Sequence, residues 1–272
     1  MTASSEHDPW ADIPARYNLG TALTTGNVTA GRGGKTCLIW ENSQGETRRF
    51  TYAEMDELSN RCAAALAKLG VARGDRILLR LPNVPEFYVA ALGIAKLGAV
   101  FIPTSTQFRA AEIAYRLNDS GAVAAITTAD LLPDLEDALL DSPACHRLIV
   151  TAGESRRGAV TQGEDFWQLL ADAPPTFAAA DTASDEVAFI AYTSGITGDP
   201  KGVVHYHRYP ISYDSLIRHW HDYRDDDICA CPAEVGWLLP WPQHFSTRCA
   251  SASPLYSITR WTAVSIRRLG GV

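Results

Sequence analysis

No stretch of this sequence is apolar for long enough to cross a bilayer. The longest candidate, YVAALGIAKLGAVFI (88–102), is broken by Lys96 and two glycines. The N-terminus, MTASSEHDPWADIPARYNLG, lacks the basic start and apolar run of a secretory leader, so a cytoplasmic protein is expected. An excess of basic charge is also missing. The formal net charge is −7, which disfavours non-specific binding to nucleic acid. The six cysteines, at 37, 62, 145, 229, 231 and 249, are too scattered in 272 residues to make a disulfide scaffold. Cys229 and Cys231 form a Cys-x-Cys with no second Cys or His pair at zinc-finger spacing, so buried thiols rather than a metal site are expected there.

What is present is an alternation of helical and extended patterns. Thr51 and Glu54 make a capping box, followed by Met55, Leu58, Cys62, Leu66 and Leu69 on one helix face and Gly70 as a stop. RILLRL (76–81) reads as a strand. Pro85 suits a first helical turn, and the helix pattern runs to Gly98. AVFIP (99–103) reads as a strand, 110–121 as a helix, 122–128 as a strand, 131–140 as a helix and 147–151 as a strand. A helix over 164–173 and a strand over 186–194 complete the series, with 173–185 as the one linker-like stretch. This order predicts an α/β fold: a mostly parallel sheet with helices on both faces.

The chemistry concentrates in YTSGITGDPKG (192–202). Phosphate oxygens are held by backbone amides in a concave loop, by hydroxyl donors and by a fixed cation. Thr193, Ser194 and Thr197 offer hydroxyls, and Lys201 a point charge. Gly195, Gly198 and Gly202 are expected to permit close approach and positive φ, and Pro200 to stiffen the turn. The Walker pattern GxxxxGK[ST] is absent, because Lys201 precedes its glycine. VVHYH follows as a strand, so the loop is expected to join two strands. The plain alternative is a glycine-rich hairpin turn, which needs neither the lysine nor three clustered hydroxyls.

That eleven-residue stretch closely resembles the signature loop of the adenylate-forming superfamily. FTYAEMDELSNRCAAALAKLGVARGDRI and the segment 81–122 resemble its acyl-CoA synthetase branch, most of all the medium- and short-chain enzymes, and PAEVGWLLP (232–240) resembles its Gly-Trp motif. The resemblance implies the N-terminal α/β domain of such an enzyme, cut short. It divides into a first subdomain at 1–185, the start of a second with the phosphate loop at 186–240, and a non-family tail at 241–272. The implied reaction is AMP-forming: a carboxylic acid attacks the α-phosphate of Mg2+-ATP, and coenzyme A then displaces AMP. Thr193, Ser194, Gly195, Thr197, Gly198 and Lys201 would hold the β- and γ-phosphates. Lys201 and His207 would serve catalysis, His207 beside the reacting carboxylate or else as a plain surface histidine. Trp237 would line the acyl pocket or else be one more core tryptophan. Glu234 reads as a solvated carboxylate.

One position departs from the family pattern. Ile196 stands where a Thr or Ser is usual, and loss of a hydroxyl donor to a charged phosphate costs about 1.5–3 kcal/mol. The magnesium-site acid, the ribose aspartate and the lysine of a small C-terminal domain that the family supplies after the Gly-Trp motif have no counterpart here. An impaired ligase with uncovered apolar strand edges is therefore expected, with a non-catalytic remnant that binds only phosphates or a partner chain as the alternative. A peptide-synthetase adenylation module is disfavoured by the 81–122 segment.

The tail is compositionally distinct. Residues 241–272 hold four arginines and none of the chain's 31 acidic residues. Read as a genuine segment it is a basic arm. Read one base earlier, the codons for PWPQHFSTRC (240–249) permit Leu/Met/Val, a forced Ala, small residues and two Phe/Leu, an apolar helical pattern. A frameshift near Leu239 and Pro240 is the expectation, leaving a tail with no fold of its own. Resequencing across those codons is expected to show the displaced base. An unaltered frame, with a protein mass ending at Val272, overturns it.

Overall fold

The computed structural model describes residues 13–152, 163–193, 198–212, 229–231, 233–236 and 255–258. Two short helices, α1 (Leu19–Leu23) and α2 (Thr25–Asn27), precede an antiparallel hairpin of β1 (Thr36–Glu41) and β2 (Thr47–Thr51). The chain then builds a seven-stranded sheet from β3 (Arg76–Arg80), β4 (Val100–Pro103), β5 (Ala124–Thr128), β6 (Arg147–Thr151), β7 (Glu164–Asp165), β8 (Val187–Thr193) and β9 (Lys201–Tyr206). Its order is β7-β6-β5-β3-β4-β8-β9, parallel throughout except for the antiparallel β8–β9 pair. Two later strands, β10 (Cys229–Cys231) and β11 (Leu255–Ile258), join β1 and β2 in a second sheet ordered β10-β11-β1-β2.

Local chemistry sets the helices. α3 (Tyr52–Lys68) begins at the Thr51–Glu54 capping box, with both reciprocal bonds formed. α4 (Pro85–Leu97) has proline at its start and ends on Gly98, left-handed at φ 75°. α5 (Ala110–Ser120) ends on Gly121 in the same way. α6 (Leu132–Leu140) and α7 (Phe166–Ala171) complete the set that covers the sheet. α4 is apolar on every side and is buried from Pro85 to Lys96, as an all-round hydrophobic helix must be. Its neighbours come close: a Cβ on Gly93 would lie 2.7 Å from the Cys62 Cβ of α3, and one on Gly20 would lie 2.5 Å from the Leu92 carbonyl oxygen. The one cation in α4, Lys96, is compensated inside the core. Its Nζ donates to the carboxylate of Asp56 at 2.8 Å and to Oδ1 of Asn60 at 2.6 Å.

Parallel strands must be covered on both faces, and alternation along β3 shows how. Ile77 and Leu79, with Phe101, Ala124 and Ile126, join a core shared with α3, α4 and α7. Leu78, with Ile102 and Ala125, joins a separate core with Ile113 and Leu117 of α5 and Leu135 of α6. Both faces therefore carry helices, as the sequence pattern implies. Among the described residues, no helix is long and apolar enough to cross a membrane. Val203, Val204 and Tyr206 on the outermost strand, β9, are exposed, in line with the uncovered edge expected above.

Three expectations need correction. The linker-like 173–185 stretch is docked: the amide of Ala180 donates to the Lys96 carbonyl, that of Tyr17 to the Thr182 carbonyl, and Thr182 and Ser184 are buried. The helix expected over 164–173 opens with two residues of strand β7. Within the tail expected to lack a fold, Leu255–Ile258 pairs with β1 in parallel register.

His207, read from sequence as either catalytic or a surface residue, does not lie at the surface. It is fully buried, and its Nδ1 accepts the first amide of α1, from Leu19, at 3.0 Å. Its backbone amide donates to Glu186. Burial pushes its pKa down to about 4; Glu186 pulls it upward and Arg73 adds to the depression. A histidine that must stay neutral to accept a bond stabilises the fold fully above its unfolded pKa near 6.5. The contribution is lost as pH falls through 4, because the unfolded chain then binds the extra proton. Urea unfolding between pH 7 and pH 4 should therefore show about 3 kcal/mol of lost stability from this residue. His207→Asn, which keeps an acceptor without a titrating group, should flatten that slope. Equal slopes in the two proteins would exclude the assignment.

Candidate functional site

The C-terminal ends of β3, β4 and β8 lie side by side in the sheet. In open parallel sheets, ligands bind beyond these ends, preferentially where the strand order reverses. Here it reverses around β3, whose neighbours β4 and β5 extend the sheet in opposite directions. That crevice is filled by the chain itself. Arg80, at the end of β3, is buried and donates to the carbonyls of Leu131 (2.6 Å), Thr106 (3.0 Å) and Phe108 (2.7 Å). The open position at the same edge is the turn between β8 and β9.

That turn leaves β8 at Thr193 and returns at Lys201, which pair across the hairpin. Thr193, Gly198 and Lys201 are exposed there, a hydroxyl and an ammonium on facing strand ends. The loop thus joins two strands, as expected. Of its described glycines, neither Gly198 nor Gly202 takes the expected positive φ, while the expected close approach holds at Gly202. Gly202 gives room instead, since a Cβ there would sit 2.9 Å from Ile190 and 3.2 Å from Cζ of Tyr192. Ser194, Gly195, Ile196, Thr197 and Trp237 lie outside the described residues. His207 ends up at the opposite end of β9 from Lys201, roughly 20 Å away at the rise of a strand, so the structure does not bring the two together.

The Gly-Trp segment is strapped across the same edge. Glu234, read as a solvated carboxylate, instead accepts from the Ser105 hydroxyl at 2.9 Å and the Thr106 amide at 2.5 Å. The Asn83 side chain donates to the Ala233 carbonyl at 3.1 Å and accepts from the Val235 amide at 2.8 Å. Gly236 lies so flat on this loop that a Cβ would be 2.6 Å from the Cα of Ser105. The residues just before Trp237 are thereby anchored beyond β3 and β4. Asn83 and Ser105 were missed in the sequence because each acts on a segment about 130 or more residues away. No group of three or more His, Cys, Asp or Glu able to hold a metal occurs among the described residues.

A family model described as "AMP-binding enzyme" matches residues 27–258, which carries the match past residue 240, where the sequence reading ends it. Among curated relatives, an uncharacterized acyl–CoA ligase of Bacillus subtilis (YtcI) is 33% identical over 225 residues, covering 82% of this chain and 40% of its own length. An acetyl-coenzyme A synthetase of Rubrobacter xylanophilus is 31% identical, covering 78% and 35%. A crotonobetaine/carnitine–CoA ligase of Proteus mirabilis is 33% identical, covering 82% and 42%. The chain therefore spans about two fifths of the length of these relatives. The anthranilate CoA ligase AuaEII, solved with anthranoyl-AMP, superposes with a TM-score of 0.85 at 24% identity, over 95% of this chain and 48% of that one. A Brucella canis acyl-CoA synthetase gives 0.83 at 21%, over 97% and 50%. With the hairpin loop at the sheet edge and a family match across most of its length, the chain belongs to the AMP-binding, adenylate-forming enzyme family, among relatives that are acyl-CoA ligases and synthetases.

Proposed function

We propose that this chain carries the phosphate-holding part of an AMP-forming acyl-CoA synthetase. The observation that carries the reading is the β8–β9 turn, with Lys201 exposed opposite Thr193 at the C-terminal edge of a parallel sheet. In this reading Thr193, Ser194, Thr197 and the amides of Gly195 and Gly198 cradle the β- and γ-phosphates of ATP. Lys201 draws off the negative charge that builds on pyrophosphate as a carboxylate oxygen attacks the α-phosphorus and the α–β bridging bond breaks. The acyl-adenylate then passes its acyl group to the thiol of coenzyme A with loss of AMP. Trp237, which follows the anchored Ala233–Gly236 segment, would line the acyl pocket. His207 takes no part in the chemistry. The described residues offer no acidic cluster for magnesium.

The experiment is exchange of labelled pyrophosphate into ATP in the presence of short- and medium-chain carboxylic acids. Lys201→Ala should slow exchange roughly 10- to 150-fold, the loss of a charge-assisted contact worth about 1.5–3 kcal/mol. Ile196→Thr should raise it by restoring a hydroxyl donor. Exchange that both substitutions leave unchanged would overturn the phosphate role. Binding of inorganic tripolyphosphate without any exchange would favour the non-catalytic remnant.

A further inference from the structure

Tyr115 sits midway along α5, outside the loop that it touches. Its hydroxyl donates to the carbonyl of Pro200 at 2.9 Å. Proline fixes its own φ near −65° and has no amide proton. The peptide plane leading from Pro200 into Lys201 is therefore set by one torsion, ψ, and a hydrogen bond on that carbonyl fixes it. The Tyr115 ring is itself held. It packs edge-on against Tyr192 at 6.4 Å, and the Tyr192 hydroxyl donates to Asp119 of α5 at 2.6 Å. Arg116 lies over the rings of both Phe108 and Tyr192. Gly202 leaves the room that the Tyr192 ring needs. One helix thus grips the hairpin on both sides of its turn, on β8 through Tyr192 and ahead of β9 through Pro200. Partial burial, then the carboxylates of Asp119 and Asp199, push the Tyr115 phenol pKa up, so the hydroxyl stays a donor.

We infer that Tyr115 is a positioning residue for phosphate binding: through the Pro200 carbonyl it sets the direction in which Lys201 leaves the strand end. The inference rests on the phosphate-cradle reading of Lys201 and adds a residue to it. Sequence pattern alone places Tyr115 merely on a helix, 86 positions before the lysine that it orients.

The test is calorimetric titration of the whole chain with inorganic tripolyphosphate at low ionic strength. It compares the wild type, Tyr115→Phe, Lys201→Ala and the double variant. Phenylalanine keeps the ring against Tyr192 and removes only the hydroxyl. Tyr115→Phe is expected to weaken binding about 5- to 10-fold while shifting the thermal midpoint by no more than a few degrees. In the Lys201→Ala background it should weaken binding no further, because the two residues act through one contact. Wild-type affinity in Tyr115→Phe overturns the inference, as do additive losses in the double variant or a collapse of the thermal midpoint, which would make the hydroxyl a general structural element. Weak binding by Lys201→Ala with normal binding by Tyr115→Phe overturns the role of Tyr115 alone. Wild-type binding by Lys201→Ala, or no binding by the wild type, overturns the cradle reading and this inference together.

Discussion

A parallel strand cannot leave a face to water, and the rest of this structure depends on how β3, β4 and β5 meet that demand. Each alternates its apolar residues between two separate cores, so each strand requires helices on both sides. Crossover helices return β4, β5, β6 and β8 in the same direction as β3, which lines up the carboxyl ends of β3, β4 and β8 along one edge. The loops Leu81–Val84 and Thr104–Arg109 and the β8–β9 turn are neighbours for that reason alone. The Gly-Trp segment reaches the same edge from far along the chain, and Asn83 and Glu234 hold it by four hydrogen bonds.

Burial on both faces also determines how charge is handled inside. Lys96 lies on a helix with no exposed side, so its ammonium is matched to Asp56 and Asn60 of α3. Thr25, just after α1, donates to the same Asp56 carboxylate at 2.6 Å. His207 works in the opposite sense, staying neutral so that it can accept the amide of Leu19. The N-terminal segment is thus tied to α3 by a hydroxyl bond to the carboxylate of that ion pair and to the end of β9 by an uncharged ring. Removing a buried charged partner strands the other, at a cost of about 3–5 kcal/mol, whereas protonating His207 severs its tie through pH alone.

The parts of the fold legible in the sequence are those fixed by near neighbours. The capping box at Thr51 and Glu54, the proline start and Gly98 stop of α4, and the apolar runs of β3 and β4 are read from residues a few positions apart. The turn at 192–202 stood out in the sequence because its glycines, hydroxyls and lysine are crowded into eleven residues. The β1–β2 hairpin did not, because β2 (TRRFT) carries little apolar pattern and the pairing of β1 with β11 spans more than 200 residues. His207 and Glu234 were misread for one physical cause. Polar type suggests exposure, while their surroundings are assembled from Leu19 and Glu186 in one case and Ser105 and Thr106 in the other. Tyr115 gave no local signal, since a tyrosine on a half-buried helix face is ordinary.

If the β8–β9 turn holds phosphate as proposed, its dependence on a single lysine follows from the strand that comes next. Where a parallel strand feeds a helix, the helix N-terminus brings roughly half a positive charge and free amides to a phosphate. β8 feeds the antiparallel strand β9 instead, so that source is missing at this turn. The helix dipoles at the neighbouring strand ends do not replace it, because Arg80 fills the crevice where the strand order reverses and spends its donors on three carbonyls. Positive charge at the turn must therefore come from a side chain. A lysine on an exposed strand end has many rotamers to lose on binding, so its value depends on how firmly its backbone is aimed. A rigid proline before it, a helix hydroxyl on that proline's carbonyl and a glycine after it that admits the Tyr192 ring all restrict the same few torsions. On that reading, an isoleucine at 196 in place of a hydroxyl leaves fewer donors, and the bracing of Lys201 by α5 would carry correspondingly more of the binding.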